Sequence, residues 1–384
     1  MMGSSVTNKK TREGHIRGET PHTPPINHRY NFSLLIPNSE RCIFQGQLQE
    51  YRILFVVKSA ISHTHRRLAI RNSWGFQDRF SDVPTQRVFL IGNRPWEPEL
   101  QKQIEGEHRQ FGDLVQGDFW DTYFNNTYKT MMGFRWAVQH CPNARFVLFA
   151  DDDMYISVRN LLLFLRNPWK YPEYLEEEVF ASGILNSVPK NLAFLDDEVR
   201  LERSLKLISE DKAKKRLRRR TRQSKLSKRL NTTTDLPLSP RRHLQQWDMG
   251  GDMDIPEDVR LYSGFVFNST PLRHRTSKWY IPLSEYPFSL WPPYVTAGAF
   301  VLSRNALLDM YYASFYTQHF RFDDIYLAIV AKKAGIVPYH CKEFYYWKKP
   351  YALKDYQHVI ASHGYEDSEE LLRVWNEQKS LGHA

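Results

Sequence analysis

The chain has 384 residues, of which 41% are hydrophobic and 14% aromatic, so it can form a large core and is not a disordered chain overall. Its net charge is +10, but about a dozen lysines and arginines lie between Lys206 and Arg229, so the excess describes one segment and not the whole protein. Cys42, Cys141 and Cys341 form no CxxC or Cys/His cluster, which argues against a structural zinc site and leaves one disulfide possible.

Strands and helices alternate through the first half of the sequence. We predict buried strands at 52–57, 87–92, 113–116 and 145–150, and helices at 64–73, 96–111 and 123–140. This alternation indicates an α/β domain with a mostly parallel central sheet and flanking helices. Ligands of such sheets bind beyond the carboxyl ends of the strands. We therefore expect Lys58-Ser59 and Asp151-Asp152-Asp153, which follow two of these strands, to face one crevice.

Residues 186–258 break the pattern, because they are charged, contain Ser/Thr/Pro stretches and lack a sustained apolar face. We predict a basic, flexible insert there. The predicted organisation is a polar tail and stem-like segment at 1–50, a domain at 51–376 that the insert interrupts, and a tail at 377–384. No run of about 18 apolar residues occurs, so any membrane anchor is expected to lie outside this sequence.

The acidic triplet Asp151-Asp152-Asp153 directly follows the apolar run FVLFA. In an extended segment, residues i and i+2 point to the same side, so Asp151 and Asp153 are expected to converge on one divalent cation. Carboxylate oxygens suit Mn²⁺ or Mg²⁺. A solvated acidic turn is the alternative. An EF-hand is excluded, because its glycine position holds Ile156 and its final glutamate position holds Leu162.

Two further features have both a functional and an ordinary interpretation. Asp323-Asp324 begins an apolar helical pattern, and the pair is either a helix cap or the source of a general base. Arg67 and Arg71 are four residues apart on one helix face, which suits a diphosphate, although surface arginines are common on helices. The sequence contains no Walker A, H-E-x-x-H or G-x-S-x-G motif, so kinase, zinc-protease and hydrolase functions have little support.

Six segments in one order carry a resemblance to a known family: RRLAIRNSWG at 66–75, GDFWDTYFNNTYKTMMGFRWA at 117–137, FADDDMY at 149–155, SKWYIPLSEYP at 277–287, WPPYVTAGAFVLS at 291–303 and FDDIYLAIVAKKAGI at 322–336. Together they resemble the β-1,3-glycosyltransferases, which include β-1,3-galactosyltransferases and β-1,3-N-acetylglucosaminyltransferases. The resemblance covers about residues 51–178 and 260–376, and within the family the sequence resembles an insect member most. It implies a GT-A-like fold and an inverting enzyme of the Golgi membrane with a lumenal catalytic domain.

The resemblance also implies site residues. The family's DxD metal motif falls on Asp151 and Asp153, with His363 as a further metal ligand and Mn²⁺ or Mg²⁺ as the cofactor. Asp324 takes the place of the catalytic base. Asp323 stands where many members have Glu, and Ala328 stands where Gly is usual. Candidate donor-binding residues are Lys58, Ser59, Arg67, Arg71, Asp118 and Asp152, and candidate acceptor-binding residues are Trp279, Tyr280, Trp291, Tyr294 and Asp323.

The expected reaction transfers N-acetylglucosamine, or next galactose, from a UDP-sugar to a glycan acceptor, with a glycosphingolipid as the preferred acceptor. Two alternatives remain. One is a catalytically inactive sugar-binding relative, against which the intact acidic residues argue. The other is a nucleic-acid-binding protein that uses residues 206–229, but this segment lacks interleaved aromatics and any recognised module. We expect no nucleic acid partner.

Overall fold

The computed structural model describes residues 24–80, 82–175 and 255–384. Residues 24–171 and 255–384 belong to one compact α/β unit. The predicted insert at 186–258 lies outside the described residues, apart from 255–258. In the described ranges no helix is long and apolar enough to cross a membrane.

The elements of the described residues follow in chain order. The strands are β1 (Leu34–Ile36), β2 (Ile43–Phe44), β3 (Gln47–Leu48), β4 (Tyr51–Lys58), β5 (Thr85–Asn93), β6 (Leu114–Trp120), β7 (Ala144–Asp151), β8 (Tyr155–Ile156), β9 (Tyr262–Phe267), β10 (Tyr294–Ser303), β11 (Tyr339–His340), β12 (Phe344–Tyr345) and β13 (Ala361–Ser362). The helices are α1 (Thr64–Arg71), α2 (Pro98–Phe111), α3 (Asn126–His140), α4 (Val158–Arg166), α5 (Arg304–Ser314), α6 (Asp323–Ala334) and α7 (Ser368–Ser380).

The main sheet has eight strands in the order β1-β6-β5-β4-β7-β10-β9-β11. Strands β6, β5, β4 and β7 are parallel, whereas β10 is antiparallel to both β7 and β9. Strand β4 reads YRILFVVK and its last six residues are buried, the continuous apolar pattern of a parallel strand covered on both faces. The α/β prediction is confirmed, and the antiparallel part of the sheet is an addition to it.

Strand register brings the predicted site residues to one edge of the fold. Because β4 and β7 are parallel, Lys58 and Asp151 are neighbours at the carboxyl ends of these strands. A three-stranded sheet, β12-β13-β8, pairs Ser362 with Tyr155. This antiparallel pairing brings His363, which follows β13, next to Asp153, which precedes β8.

Helix α3 lies directly on the main sheet, and Gly133 permits this close approach. A Cβ atom at Gly133 would lie 2.7 Å from side-chain carbons of Leu90 and Phe149 and 2.9 Å from Val56. These three neighbours are fully buried strand residues that cannot easily move. The helix therefore needs glycine at this point to pack on the sheet.

Both ends of the described chain are more structured than the sequence predicts. Strand β1 pairs with β6, and Asn27 is buried with its amide bonded to the carbonyls of Ser314 and Thr317, so the segment from residue 24 to 50 is part of the fold and not a stem. At the other end α7 continues to Ser380 and Ala384 is buried, which corrects the predicted tail at 377–384. Strand β1 has only three residues, too few to leave a sequence pattern that predicts a strand.

A disulfide joins Cys42 to Cys141, across a sequence separation of 99 residues. It connects the segment between β1 and β2 to the residue that follows α3. The third cysteine, Cys341, is buried. One disulfide is what the cysteine count left possible.

Candidate active site

Lys58 bridges two carboxylates at the carboxyl end of β4. Its Nζ lies 2.9 Å from Oδ1 of Asp151 and 3.0 Å from Oδ2 of Asp323, and it donates to the carbonyl of Ala297 at 3.1 Å. Burial alone would lower the pKa of Lys58, but the two carboxylates outweigh burial and raise it. The cation thus joins the end of the parallel sheet to the start of α6.

One lysine cannot neutralise two carboxylates, and the pKa values of Asp323 and Asp151 shift in opposite directions. Burial would raise the pKa of Asp323, but Lys58 and the hydroxyl of Thr130, which donates at 2.8 Å, hold it below its ordinary value. Burial, together with the charges of Asp153 and Asp323, raises the pKa of Asp151 to about 7 in spite of Lys58. Asp323 therefore ionises more readily than Asp151 and is the main charged partner of Lys58.

Asp324 lies beside this ion pair in the first turn of α6. Its Oδ1 accepts a hydrogen bond from the backbone N–H of Ile325 at 2.7 Å. Burial, followed by the neighbouring charge of Asp323, raises the pKa of Asp324 to about 7. The N-cap residue is Phe322, so neither aspartate is the helix cap. A carboxyl group with a pKa near neutrality has the properties of a general base.

Asp153 and His363 form a second pair. Nε2 of His363 lies 3.3 Å from Oδ2 of Asp153, and the hydrogen bond to this carboxylate raises the pKa of His363. The backbone N–H of Tyr365 donates to the carbonyl of Asp153 at 2.8 Å and fixes the two segments to each other. Oδ1 of Asp153 is buried and has no hydrogen-bond partner. Such an atom needs a donor or a cation.

Asp152 points away from both pairs and is saturated with hydrogen bonds. It accepts from the Ser59 hydroxyl at 2.7 Å and from Nη1 of Arg66 at 3.1 Å, and it lies 2.9 Å from Nδ1 of His63. Burial would raise the pKa of Asp152, but these partners lower it. Asp152 and Ser59 thus hold the loop after β4 against the end of β7.

Two features therefore meet near the carboxyl ends of the parallel strands. One is a carboxylate–imidazole pair that suits a metal ion, and the other is a carboxyl group with a pKa of about 7. A family model described as Galactosyltransferase matches residues 65–192 and 235–342, which is more than half of the chain. The chain belongs to the galactosyltransferase family. The match stops and resumes inside the predicted insert, so the part of the insert without a family counterpart is 193–234.

Similar proteins carry related activities in their names. The chain is 37% identical to "Beta-1,3-galactosyltransferase brn" of Drosophila melanogaster over 88% of this chain and 77% of that protein. It is 27% identical to "Beta-1,3-galactosyltransferase 1" of Homo sapiens, over 99% of this chain and 86% of the relative. It is also 27% identical to "Lactosylceramide 1,3-N-acetyl-beta-D-glucosaminyltransferase A" of Xenopus laevis, over 89% of this chain and 69% of that protein. The chain is a β-1,3-glycosyltransferase and a hexosyltransferase.

Arg67 and Arg71 serve the fold of this transferase. Arg67 is fully buried and donates to Glu107, to Ser59 and to the loop carbonyls that follow Ser59. Arg71 donates to Glu107 at 2.7 Å and to both carboxylate oxygens of Asp113. Because these guanidinium groups are occupied by carboxylates inside the protein, we assign both to the fold, which corrects their predicted role in holding the donor diphosphate.

Asp121, three residues after Asp118, supports the site; it lies in the family segment at 117–137 but was not among the predicted site residues. Oδ2 of Asp121 accepts from the backbone N–H groups of Ile61 and Gly92, and its Oδ1 accepts from Lys129 at 2.8 Å. It therefore ties three segments together behind the site. Asp118 itself is exposed in β6, and its contact with the donor stays a prediction.

The predicted acceptor residues are spread over different places. Trp279 is exposed, Tyr280 is half-buried, and Trp291 packs between Tyr286 and Phe320. The contact of these three side chains with an acceptor stays a prediction.

The two other predicted acceptor residues lie nearer to the candidate base. Asp323 is buried against Lys58, so we assign it to the ion pair and not to direct acceptor contact, which corrects that prediction. Tyr294 is close enough to Asp324 that the aspartate's charge contributes to the raised pKa of Tyr294, after burial.

Tyr294 belongs to an aromatic cluster whose other four members are not among the predicted site residues. Its members are Phe265, Phe267, Tyr294, Tyr346 and Trp347. Ring centroids are 5.6 Å apart for Phe267 and Tyr294, 4.7 Å for Phe267 and Tyr346, and 4.6 Å for Tyr346 and Trp347. Tyr346 and Trp347 are exposed. The run FYYW at 344–347 was the available sequence signal.

Proposed function

We propose that the protein transfers N-acetylglucosamine or galactose from a UDP-sugar to the 3-hydroxyl of a glycan acceptor, with inversion at the anomeric carbon. The observation that carries this proposal is Asp324, a carboxyl group with a pKa of about 7 beside an aromatic cluster. Asp324 accepts the proton of the attacking hydroxyl. Lys58 and Asp323 hold the start of α6, and with it Asp324, against the end of the sheet.

The acceptor side of the proposal rests on the aromatic cluster. Sugar rings present C–H groups on one face, and these pack against exposed aromatic rings. Tyr346 and Trp347 offer such rings, and Tyr294 connects them to Asp324. A glycosphingolipid is our preferred acceptor, because the Xenopus laevis relative is named for lactosylceramide.

A divalent cation fits the pair formed by Asp153 and His363. Carboxylate oxygen and imidazole nitrogen together suit Mn²⁺, and the unpartnered Oδ1 of Asp153 is available to it. Among the described residues no group of three or more His, Cys, Asp or Glu side chains is arranged to hold a metal, so donor phosphates and water would complete the coordination. When bound, the cation would offset the charge of the departing diphosphate. Asp151, the other predicted ligand, bonds to Lys58.

We place the enzyme in the Golgi membrane with its catalytic domain in the lumen. The disulfide between Cys42 and Cys141 supports an oxidising compartment. Membrane anchorage is part of this proposal.

A donor screen tests the proposed function. Purified protein is incubated with UDP-N-acetylglucosamine, UDP-galactose and UDP-glucose, each with galactose- and mannose-terminated glycolipids, and released UDP is measured. We expect release with one of the first two donors, and a β-1,3 linkage in the product by NMR. An absence of acceptor-dependent release for every pair would contradict the proposal and favour an inactive sugar-binding relative.

A further inference from the structure

The loop between β9 and β10 exposes large apolar side chains near a second loop. The exposed residues are Trp279, Leu283, Phe288 and Leu290 in the first loop and Tyr123 and Phe124 in the second. We call these six residues the apolar patch. Large exposed patches on soluble proteins usually mark an interaction surface.

Direct contacts join the two loops into one surface. Nζ of Lys278 lies 3.6 Å from the ring centroid of Tyr123, and Nε1 of Trp279 donates to the Tyr123 hydroxyl at 3.3 Å. The rings of Tyr123 and Phe124 are 5.5 Å apart. The two loops therefore meet at Trp279 and Tyr123.

The longer loop is held in shape from inside. The guanidinium of Arg273 donates to the carbonyls of Ile281, Tyr286 and Phe288, each at 2.8 Å. The Tyr286 hydroxyl donates to the carbonyl of Leu290 at 2.9 Å. Because these carbonyls are already bonded, the loop can place its apolar side chains in a nonpolar environment without exposing these polar groups to it.

The charge of the longer loop is positive. Residues 268–293 contain Arg273, Arg275 and Lys278, and their one acidic residue is Glu285. Glu285 is paired with Arg321 at 2.9 Å. Exposed aromatic and leucine side chains with cations beside them are typical of proteins that lie in the headgroup region of a lipid bilayer.

The loop that carries most of the patch is tied to the start of α6. Arg321, which pairs with Glu285 and also donates to the carbonyl of Tyr280, lies two residues before Asp323. The base of the loop is thus fixed next to the start of α6, which carries Asp324. A surface bound by the patch would lie beside the acceptor side of the site.

We propose that the apolar patch docks on a phospholipid bilayer and so brings Asp324 to acceptor sugars at the membrane surface. The second half of this statement rests on the proposed function, whereas the docking itself does not. The side chains of Leu283, Phe288 and Leu290 enter the interface, and Arg275 and Lys278 contact lipid phosphates.

Vesicle co-sedimentation tests the docking. The full chain is mixed with phosphatidylcholine vesicles, and the bound fraction is compared with that of Leu283→Ser/Phe288→Ser/Leu290→Ser. We expect the affinity to fall by about tenfold or more, because three apolar side chains no longer leave water. The control is Phe44→Ser, since Phe44 is 62% exposed and Phe288 64%. Phe44 lies in the β2–β3 hairpin, outside the patch.

Two results would overturn the docking: wild-type protein that does not bind these vesicles, and equal binding by the triple variant.

Transfer assays add a second readout. The triple variant should lose transfer to a glycolipid in vesicles but keep transfer to the same glycan without lipid. Equal losses on both acceptors would also refute docking, because the patch would then act in the reaction itself. Absence of transfer by the wild type on both acceptors contradicts the proposed function, while the binding result still decides the docking.

Discussion

Lys58 and Asp323 are 265 residues apart in the sequence, yet Nζ of the lysine lies 3.0 Å from Oδ2 of the aspartate. Both side chains are buried. This ion pair fixes the first turn of α6 to the end of β4, and it sets the position of the neighbouring Asp324. The pair therefore connects the stability of the fold with the geometry of the site.

Removal of the cation should destabilise the protein. Lys58→Met leaves the buried Asp323 and the half-buried Asp151 without their shared partner, and we expect a loss of about 3–5 kcal/mol in the free energy of unfolding. Urea denaturation measures it. The double variant Lys58→Met/Asp323→Asn should recover part of the loss, because one buried charge is gone. A single variant within about 0.5 kcal/mol of wild type would show that the pair contributes little.

Removal of the candidate base should abolish transfer. Asp324→Asn keeps the size of the side chain but cannot accept the proton, so we expect kcat to fall by about 10²- to 10⁴-fold with UDP binding nearly unchanged. Initial rates and UDP titration measure the two effects. The control is Asp258→Asn, at an exposed aspartate. Unchanged turnover in Asp324→Asn would remove Asp324 as the base.

The pH dependence of the rate should reflect the same carboxyl group. A base acts only when it is deprotonated, and the pKa of Asp324 is raised to about 7. We therefore expect kcat/KM to be level above this pH and to fall by about tenfold for each unit below it. Initial rates between about pH 5 and pH 9 measure the profile. A profile that stays level across the acidic half of this range would contradict the assignment.

Metal removal should stop the reaction. We expect activity to disappear in chelator and to return with Mn²⁺, and we expect Asp153→Asn to weaken Mn²⁺ binding in the presence of UDP, as measured by calorimetry. Asp355→Asn changes an exposed aspartate and serves as the control. Full activity in chelator would refute the cation proposed at Asp153 and His363.

The ion pairs of α1 should make the fold sensitive to acid. Burial would raise the pKa values of Glu107 and Asp113, but their bonds to arginines lower both. A lowered folded pKa stabilises the protein above the ordinary carboxyl pKa, and this stability is lost as the pH falls through the lowered value. Glu107→Gln should therefore be less stable than wild type at neutral pH, and the gap should narrow as the pH falls below about 4.

Chemical denaturation at several pH values measures this gap. Glu257→Gln is the matched control, because Glu257 is exposed in its pair with Arg145. We expect it to change stability by less than about 1 kcal/mol at every pH. A constant gap for Glu107→Gln would mean that its effect does not come from the charge.

The parallel strands and the first three helices could be predicted from the sequence, because long apolar runs and periodic helices leave a strong local pattern. The pairing of Asp153 with His363 depended on the family resemblance, since these residues are distant in sequence and meet only through β13 and β8. Arg67 shows the opposite case. Its position on a helix face looked like a binding surface, but only the fold reveals that Glu107 covers it.

The disulfide has a practical consequence for anyone who produces this enzyme. Cys42 and Cys141 enclose β4, β5 and β6, so the strands behind the donor side of the site lie inside one covalent ring. A bacterial cytoplasm keeps thiols reduced, and the ring would stay open there. An expression host with an oxidising secretory route is therefore the appropriate source of protein for every measurement above.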